Sequence, residues 1–173
     1  MNKVRFLCRF LAAFALLLVG WHWSAAAQWC THALLASAGF VGPSLHGWVL
    51  ETPPPGQAAP VWVYGHNQVR ASLQFDALTI GVVPALALLL ATPGISVMRR
   101  LGLLGVAAGL CFAIDTLILA LFPVLVFYKN AVTDIVGTFL GLIGFVGAPV
   151  IVWFALTFPQ LRQALRPLGR SAR

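Results

Sequence analysis

Apolar residues run through this chain in four long blocks, separated by short polar or basic punctuation. A helix that crosses a bilayer needs about 20 mostly apolar residues, and all four blocks qualify. The first covers residues 6–35 and is densest from Phe10 to Val19. The second covers 78–98, the third 101–127 and the fourth 135–158, before a polar and basic tail over 159–173. Between the first and second blocks, residues 38–77 change character. Trp48, Val49 and Leu50, then Val61, Trp62, Val63 and Tyr64, are β-branched and aromatic runs, followed by alternation at Val69, Ala71, Leu73 and Phe75. Pro53-Pro54-Pro55-Gly56 and Gly65-His66-Asn67 supply turns between them. The pattern predicts an all-α membrane protein of one domain, residues 1–173. It has four transmembrane helices and a small periplasmic β-hairpin-like element between the first and second.

Composition sharpens that reading. The 173 residues are 60% hydrophobic and 9% charged, with mean hydropathy +0.91. A soluble domain carries about a quarter charged residues, so this chain lacks the polar groups to cover a surface in water. The net charge of +7 and pI of 10.4 would raise nucleic-acid binding in a soluble protein. Here the basic residues sit at the ends of apolar blocks, and no aromatic-basic nucleic-acid motif accompanies them.

The same charges orient the bundle. With the N-terminus in the cytoplasm, Lys3, Arg5, Arg9, Arg99, Arg100, Arg162, Arg166, Arg170 and Arg173 fall inside, and only Arg70 and Lys129 fall outside. The protein is therefore expected in a bacterial inner membrane, crossing it several times with both termini in the cytoplasm. Arg99, Arg100, Arg162, Arg166 and Arg170 are placed to meet lipid headgroups, the last three at intervals of four along a tail that Pro167 interrupts. A competing reading treats the basic start, the apolar core and Ser24-Ala25-Ala26-Ala27 as a signal peptide. Retention is favoured by Trp21, His22 and Trp23, which suit a cleavage region poorly, and by apolar residues continuing through Leu35.

Asp115 stands near the middle of the third block. At 1.5 Å per residue from Leu101 it lies roughly 20 Å into the membrane. A charged aspartate there costs on the order of 2.5–3.5 kcal/mol, so it should face the bundle and find a partner. His22, counted the same way, reaches a similar depth, so a His22–Asp115 pair is expected, with Thr116 and Thr79 as neutral alternatives. The pair reads either as a hydrogen-bonded clip that selects helix pairing or as a proton relay or polar substrate contact in a small transporter or channel subunit. One pair is little for a transport path, which favours the clip.

Small residues describe packing. Gly102, Gly105 and Gly109 mark the third block, and Gly137, Gly141, Gly144 and Gly147 the fourth, at spacings that let helix backbones approach. A tight hairpin of the third and fourth helices is expected, with homodimerisation as the alternative use. Pro84, Pro123 and Pro149 are expected to kink or end their helices, and Thr133 or Asp134 to cap the fourth. Trp48, Trp62 and Tyr64 form either a partner-contact surface or an interfacial aromatic belt.

Catalytic chemistry finds no foothold. Cys8, Cys30 and Cys111 form no C-x-x-C pair, and His32, His46 and His66 share no ligand spacing, so neither a metal nor a cofactor is expected. Cys30 and His32 are too close in sequence to face each other on a helix.

The stretches RFLCRFLAAFALLL and LTIGVVPALALLLATPG followed by RRLGLLG, in this order of elements, resemble the exosortase H-associated membrane proteins. The stretch Phe75-Asp76-Ala77-Leu78-Thr79-Ile80-Gly81 departs from the Asn-Pro-Leu and Tyr-Gly pattern of that family. The resemblance implies a non-catalytic accessory of an envelope protein-sorting system, with membrane lipids and another integral membrane protein, an exosortase, as partners. It brings no catalytic residues.

Overall fold

The computed structural model describes residues 3–41, 48–51, 61–64, 69–72, 81–127, 130–142, 144 and 147–165. Among them the helices are α1 (Lys3–Trp23), α2 (Ala26–Val41), α3 (Val82–Ala91), α4 (Val97–Phe127), α5 (Ala131–Leu142) and α6 (Ala148–Leu165). Three short strands, β1 (Trp48–Glu51), β2 (Val61–Tyr64) and β3 (Val69–Ser72), lie between α2 and α3. They form one antiparallel sheet in the order β1-β2-β3, with Trp48 opposite Tyr64 and Trp62 opposite both Leu50 and Ala71. The turns at 53–56 and 65–67 lie outside the described residues.

The first apolar block is not one helix. It divides at Ser24-Ala25, where the Ser24 hydroxyl accepts a hydrogen bond from the Ala26 N–H at 3.3 Å and opens α2. The two halves then take different partners: α1 packs along α3, and α2 packs against α4 and β1.

The second block is also shorter than its apolar length. Helix α3 has 10 residues, with Pro84 in its first turn, where the missing N–H costs nothing. It ends at Thr92, whose backbone is extended because Pro93 follows it. Gly94, at φ 80°, turns the chain into α4. The third block appears as α4, 31 residues long with Pro123 inside it.

The fourth block splits into α5 and α6. Gly144 and Gly147, in the segment between them, have π-helical geometry, and Pro149 stands in the first turn of α6. The cap of α5 is Asn130 rather than Thr133 or Asp134. Asn130 Oδ1 accepts from the Thr133 N–H at 2.9 Å, and Thr133 Oγ1 accepts from the Asn130 N–H at 2.8 Å.

Two helical segments, Val4–Trp23 and Val97–Leu125, are long and apolar enough to cross a membrane. The helices Val82–Ala91, Ala131–Leu140 and Ala148–Gln160 are apolar but shorter, so the expected second and fourth crossings are not single spanning helices. Two clusters of buried apolar residues stand out among the described residues. Leu34 and Ala38 of α2 meet Ile118 and Leu119 of α4. Val82, Ala85 and Leu89 of α3 meet Ala107 and Cys111 of α4 and Val152 of α6. Helix α4 is thus the spine shared by both.

Candidate functional site

Asp115 lies on the buried face of α4, 4% exposed. Its neighbours Ile118 and Leu119 belong to the α2–α4 cluster, so the carboxylate is turned into the bundle by the same apolar stripe that docks α2. Cys30 of α2 and Cys111, one turn back along α4, both lie within electrostatic reach of it. Oδ2 is buried and has no hydrogen-bond partner among the described residues. A buried polar atom left unpaired costs about 1–3 kcal/mol, which makes this an expensive position to keep.

The structure does not bring His22 to Asp115. His22 is exposed in the last turn of α1, which packs on α3, whereas Asp115 faces α2. The depth count assumed one straight helix through residue 35. The break at Ser24 sends the chain past His22 into a new helix, and it is Cys30 that arrives beside the carboxylate. Thr116 offers no help, because its hydroxyl donates to the Phe112 carbonyl at 2.8 Å. Thr79 lies outside the described residues.

The glycines separate into two groups. A Cβ on Gly137 would sit 3.9 Å from Leu125 Cβ, and one on Gly144 would collide with Ile118 Cδ1, so both mark close approach of this segment to α4. Gly102, Gly105 and Gly109 behave differently. They are exposed, with nothing within 4 Å of an added Cβ, so the glycine face of α4 is turned away from the α4–α5 hairpin expected to use it. Nothing is described of the position of Gly141 in that packing.

Register places Trp48, Trp62 and Tyr64 at positions on one face of the sheet, since 62 and 64 are two apart and 48 pairs with 64. Their side chains, the side chain of Arg162, and all of Arg166 and Arg170 lie outside the described part. Among the described residues no three His, Cys, Asp or Glu side chains gather where a metal could bind. His32 is exposed, and His46 and His66 lie outside the described residues.

A second polar constellation joins the ends of α3, α4 and α6. Thr92 is 3% exposed, and its hydroxyl donates to the Leu88 carbonyl at 2.7 Å while accepting from Trp153 Nε1 at 2.9 Å. The Thr92 carbonyl accepts from Arg100 Nη2 at 2.9 Å. Phe6 of α1 leans on Trp153, ring centroids 6.3 Å apart. On the next turn of α6 Thr157, fully buried, donates to the Trp153 carbonyl at 2.8 Å. Gln160, in the amide orientation that satisfies both neighbours, donates to the Thr157 carbonyl at 2.9 Å and accepts from Arg99 Nη2 at 2.8 Å. Sequence reasoning missed this cluster. Its only local signal was a threonine before Pro-Gly beside two arginines, and its third member lies 61 residues away.

No protein-family model matches the chain, and neither a curated protein nor a solved structure shows significant similarity to it.

Proposed function

We propose that this chain is a multi-pass inner-membrane protein, both termini cytoplasmic, that serves as a non-catalytic accessory or assembly partner of another integral membrane protein. In this reading α1 and α4 are full crossings. The second crossing takes in residues 78–98 around the short α3, and the fourth is built from α5 and α6 in succession. The sheet then lies on the periplasmic side, with the positions of Trp48, Trp62 and Tyr64 on one face of it. The positive-inside distribution of arginines supports the orientation.

One observation carries the assembly reading. No residue in the most apolar stretch of α1 is more than partly buried, although one side of it packs along α3, and the Gly102–Gly105–Gly109 face of α4 is open. Small residues facing outward on a spanning helix suit a neighbouring helix better than they suit lipid tails, because they let backbones come close.

The resemblance to exosortase H-associated membrane proteins makes an exosortase the partner to test first. Co-expression of the tagged full chain with an exosortase, followed by detergent extraction, should retain the exosortase on the tag. Replacing Gly102, Gly105 and Gly109 by leucine should release it while the variant stays folded. Absence of retention by the unmodified chain removes the exosortase assignment, and retention unaffected by the leucines removes α4 as the contact.

A further inference from the structure

The starts of α1 and α4 lie at one level of the bundle. Phe6 leans on Trp153, Trp153 donates to the Thr92 hydroxyl, and the Thr92 carbonyl holds Arg100. From that level, Trp23 is 17 residues along α1 and Ile118 is 18 residues along α4. At 1.5 Å per residue both lie about 26–27 Å away, near the far boundary of a hydrocarbon core roughly 30 Å thick. Helix α2 opens at Ala26, just past Trp23, and Leu34 and Ala38 towards its other end dock on Ile118 and Leu119. It therefore begins and ends at one depth, running across the bundle near that boundary instead of continuing the crossing of α1.

The residues of α2 suit that path. Its 16 residues include no Asp, Glu, Lys or Arg, and its length of about 24 Å falls short of the core. Three sectors divide its circumference. Leu34 and Ala38 are buried against α4. Gln28 and His32, one turn apart, are exposed on a second sector. Trp29 and Phe40, 73% and 87% exposed, share a third, about 90° round from Gln28 and His32. A helix surrounded by water would leave two aromatics bare on one stripe, and a helix surrounded by hydrocarbon would strand the glutamine and histidine beside them.

We infer that α2 is an interfacial helix, and that the surface it fits is the headgroup–acyl boundary of the outer phospholipid leaflet. Trp29 and Phe40 enter that boundary, Gln28 and His32 face water, and Leu34 and Ala38 hold the bundle. Trp23, 88% exposed at the end of α1, stands at the same level, where tryptophan concentrates in membrane proteins. With no Lys or Arg on α2, the contact needs no anionic headgroup, so phosphatidylcholine is a sufficient partner. This placement rests on the reading of α1 and α4 as crossings, and on the proposed orientation for the choice of leaflet. Cys30, on the inner side of α2, stands beside Asp115, so the helix that rests on lipid also covers that carboxylate.

The test is tryptophan fluorescence of the full chain in phosphatidylcholine nanodiscs, which are open to water on both faces. The lipid carries bromine either near the headgroup or at the chain ends. Trp29→Phe removes one emitter and keeps an aromatic ring, so the emission lost between the two proteins belongs to Trp29. That difference should be quenched mainly by bromine near the headgroup, and little by iodide in the water. A second measurement serves if Trp29→Phe does not fold: a maleimide confined to water should label the Gln28→Cys protein much faster than the Phe40→Cys protein. Quenching of the Trp29 emission mainly by chain-end bromine would make α2 part of a crossing and overturn the interfacial helix. Quenching mainly by iodide, or equal labelling at 28 and 40, would leave its aromatics in water and overturn it too. Bromine quenching of the whole protein with none from Trp29 would overturn only the interfacial helix, whereas no bromine quenching at all would overturn the crossings of α1 and α4 as well.

Discussion

The Trp153 indole donates to the Thr92 hydroxyl at 2.9 Å, and with that one bond ties α6 to the turn between α3 and α4. Thr92 keeps its bond to Leu88 if the indole is lost, so Trp153→Phe should cost about 1 kcal/mol, the net value of one ordinary hydrogen bond. Thr92→Val should cost more, about 1–3 kcal/mol, because it strands a part-buried indole N–H. Thermal unfolding in detergent measures both. Equal stability of all three proteins would mean the bond contributes nothing.

Gly144 lies directly against Ile118 of α4. An alanine at 144 must push against Ile118 Cδ1, and Ile118 is buried in the α2–α4 cluster with little room to turn. Gly144→Ala should therefore destabilise by about 1–3 kcal/mol. Ile118→Val removes the colliding methyl and on its own should cost about 0.5–1.5 kcal/mol. The double variant should be more stable than the sum of the two losses, by a coupling readable in a double-mutant cycle. Simple additivity would remove the contact.

Gly105 sits on the open face of α4. With nothing near an added methyl, Gly105→Ala should stabilise the isolated protein by about 0.5–1 kcal/mol through helix propensity alone. The same change should weaken any complex that uses this face. Opposite signs in the two measurements are the expected signature, and a destabilised monomer would show that the face is already occupied by the chain itself.

Asp115 offers the sharpest contrast with a structural clip. A clip would lose its bond on mutation and weaken the fold. With Oδ2 unpaired in an apolar setting, Asp115→Leu should leave stability unchanged or raise it by about 1 kcal/mol. A loss of 2 kcal/mol or more would mean the carboxylate is engaged in the membrane-embedded state.

These residues also mark what could be read from the sequence. Apolarity and the turn residues located the helical blocks and the strands Trp48–Glu51, Val61–Tyr64 and Val69–Ser72. The helix interruptions were harder. Thr92-Pro93-Gly94 carries a local stop, but Ser24-Ala25 and the boundary between Leu142 and Ala148 do not, because small residues are common inside membrane helices. Once the break at Ser24 was missed, depth counting paired Asp115 with His22 in place of Cys30. The Thr92–Trp153–Arg100 cluster was out of reach for a different reason: its parts meet only after three helices have packed.

The topology decides most directly between this reading and its rivals. A green fluorescent protein fused after Arg173 should fluoresce, and alkaline phosphatase at the same point should be inactive. Alkaline phosphatase inserted between β1 and β2, at residues 53–56, should be active. An active phosphatase at the C-terminus, or a fluorescent protein lit from the 53–56 insertion, would contradict four crossings with both ends in the cytoplasm.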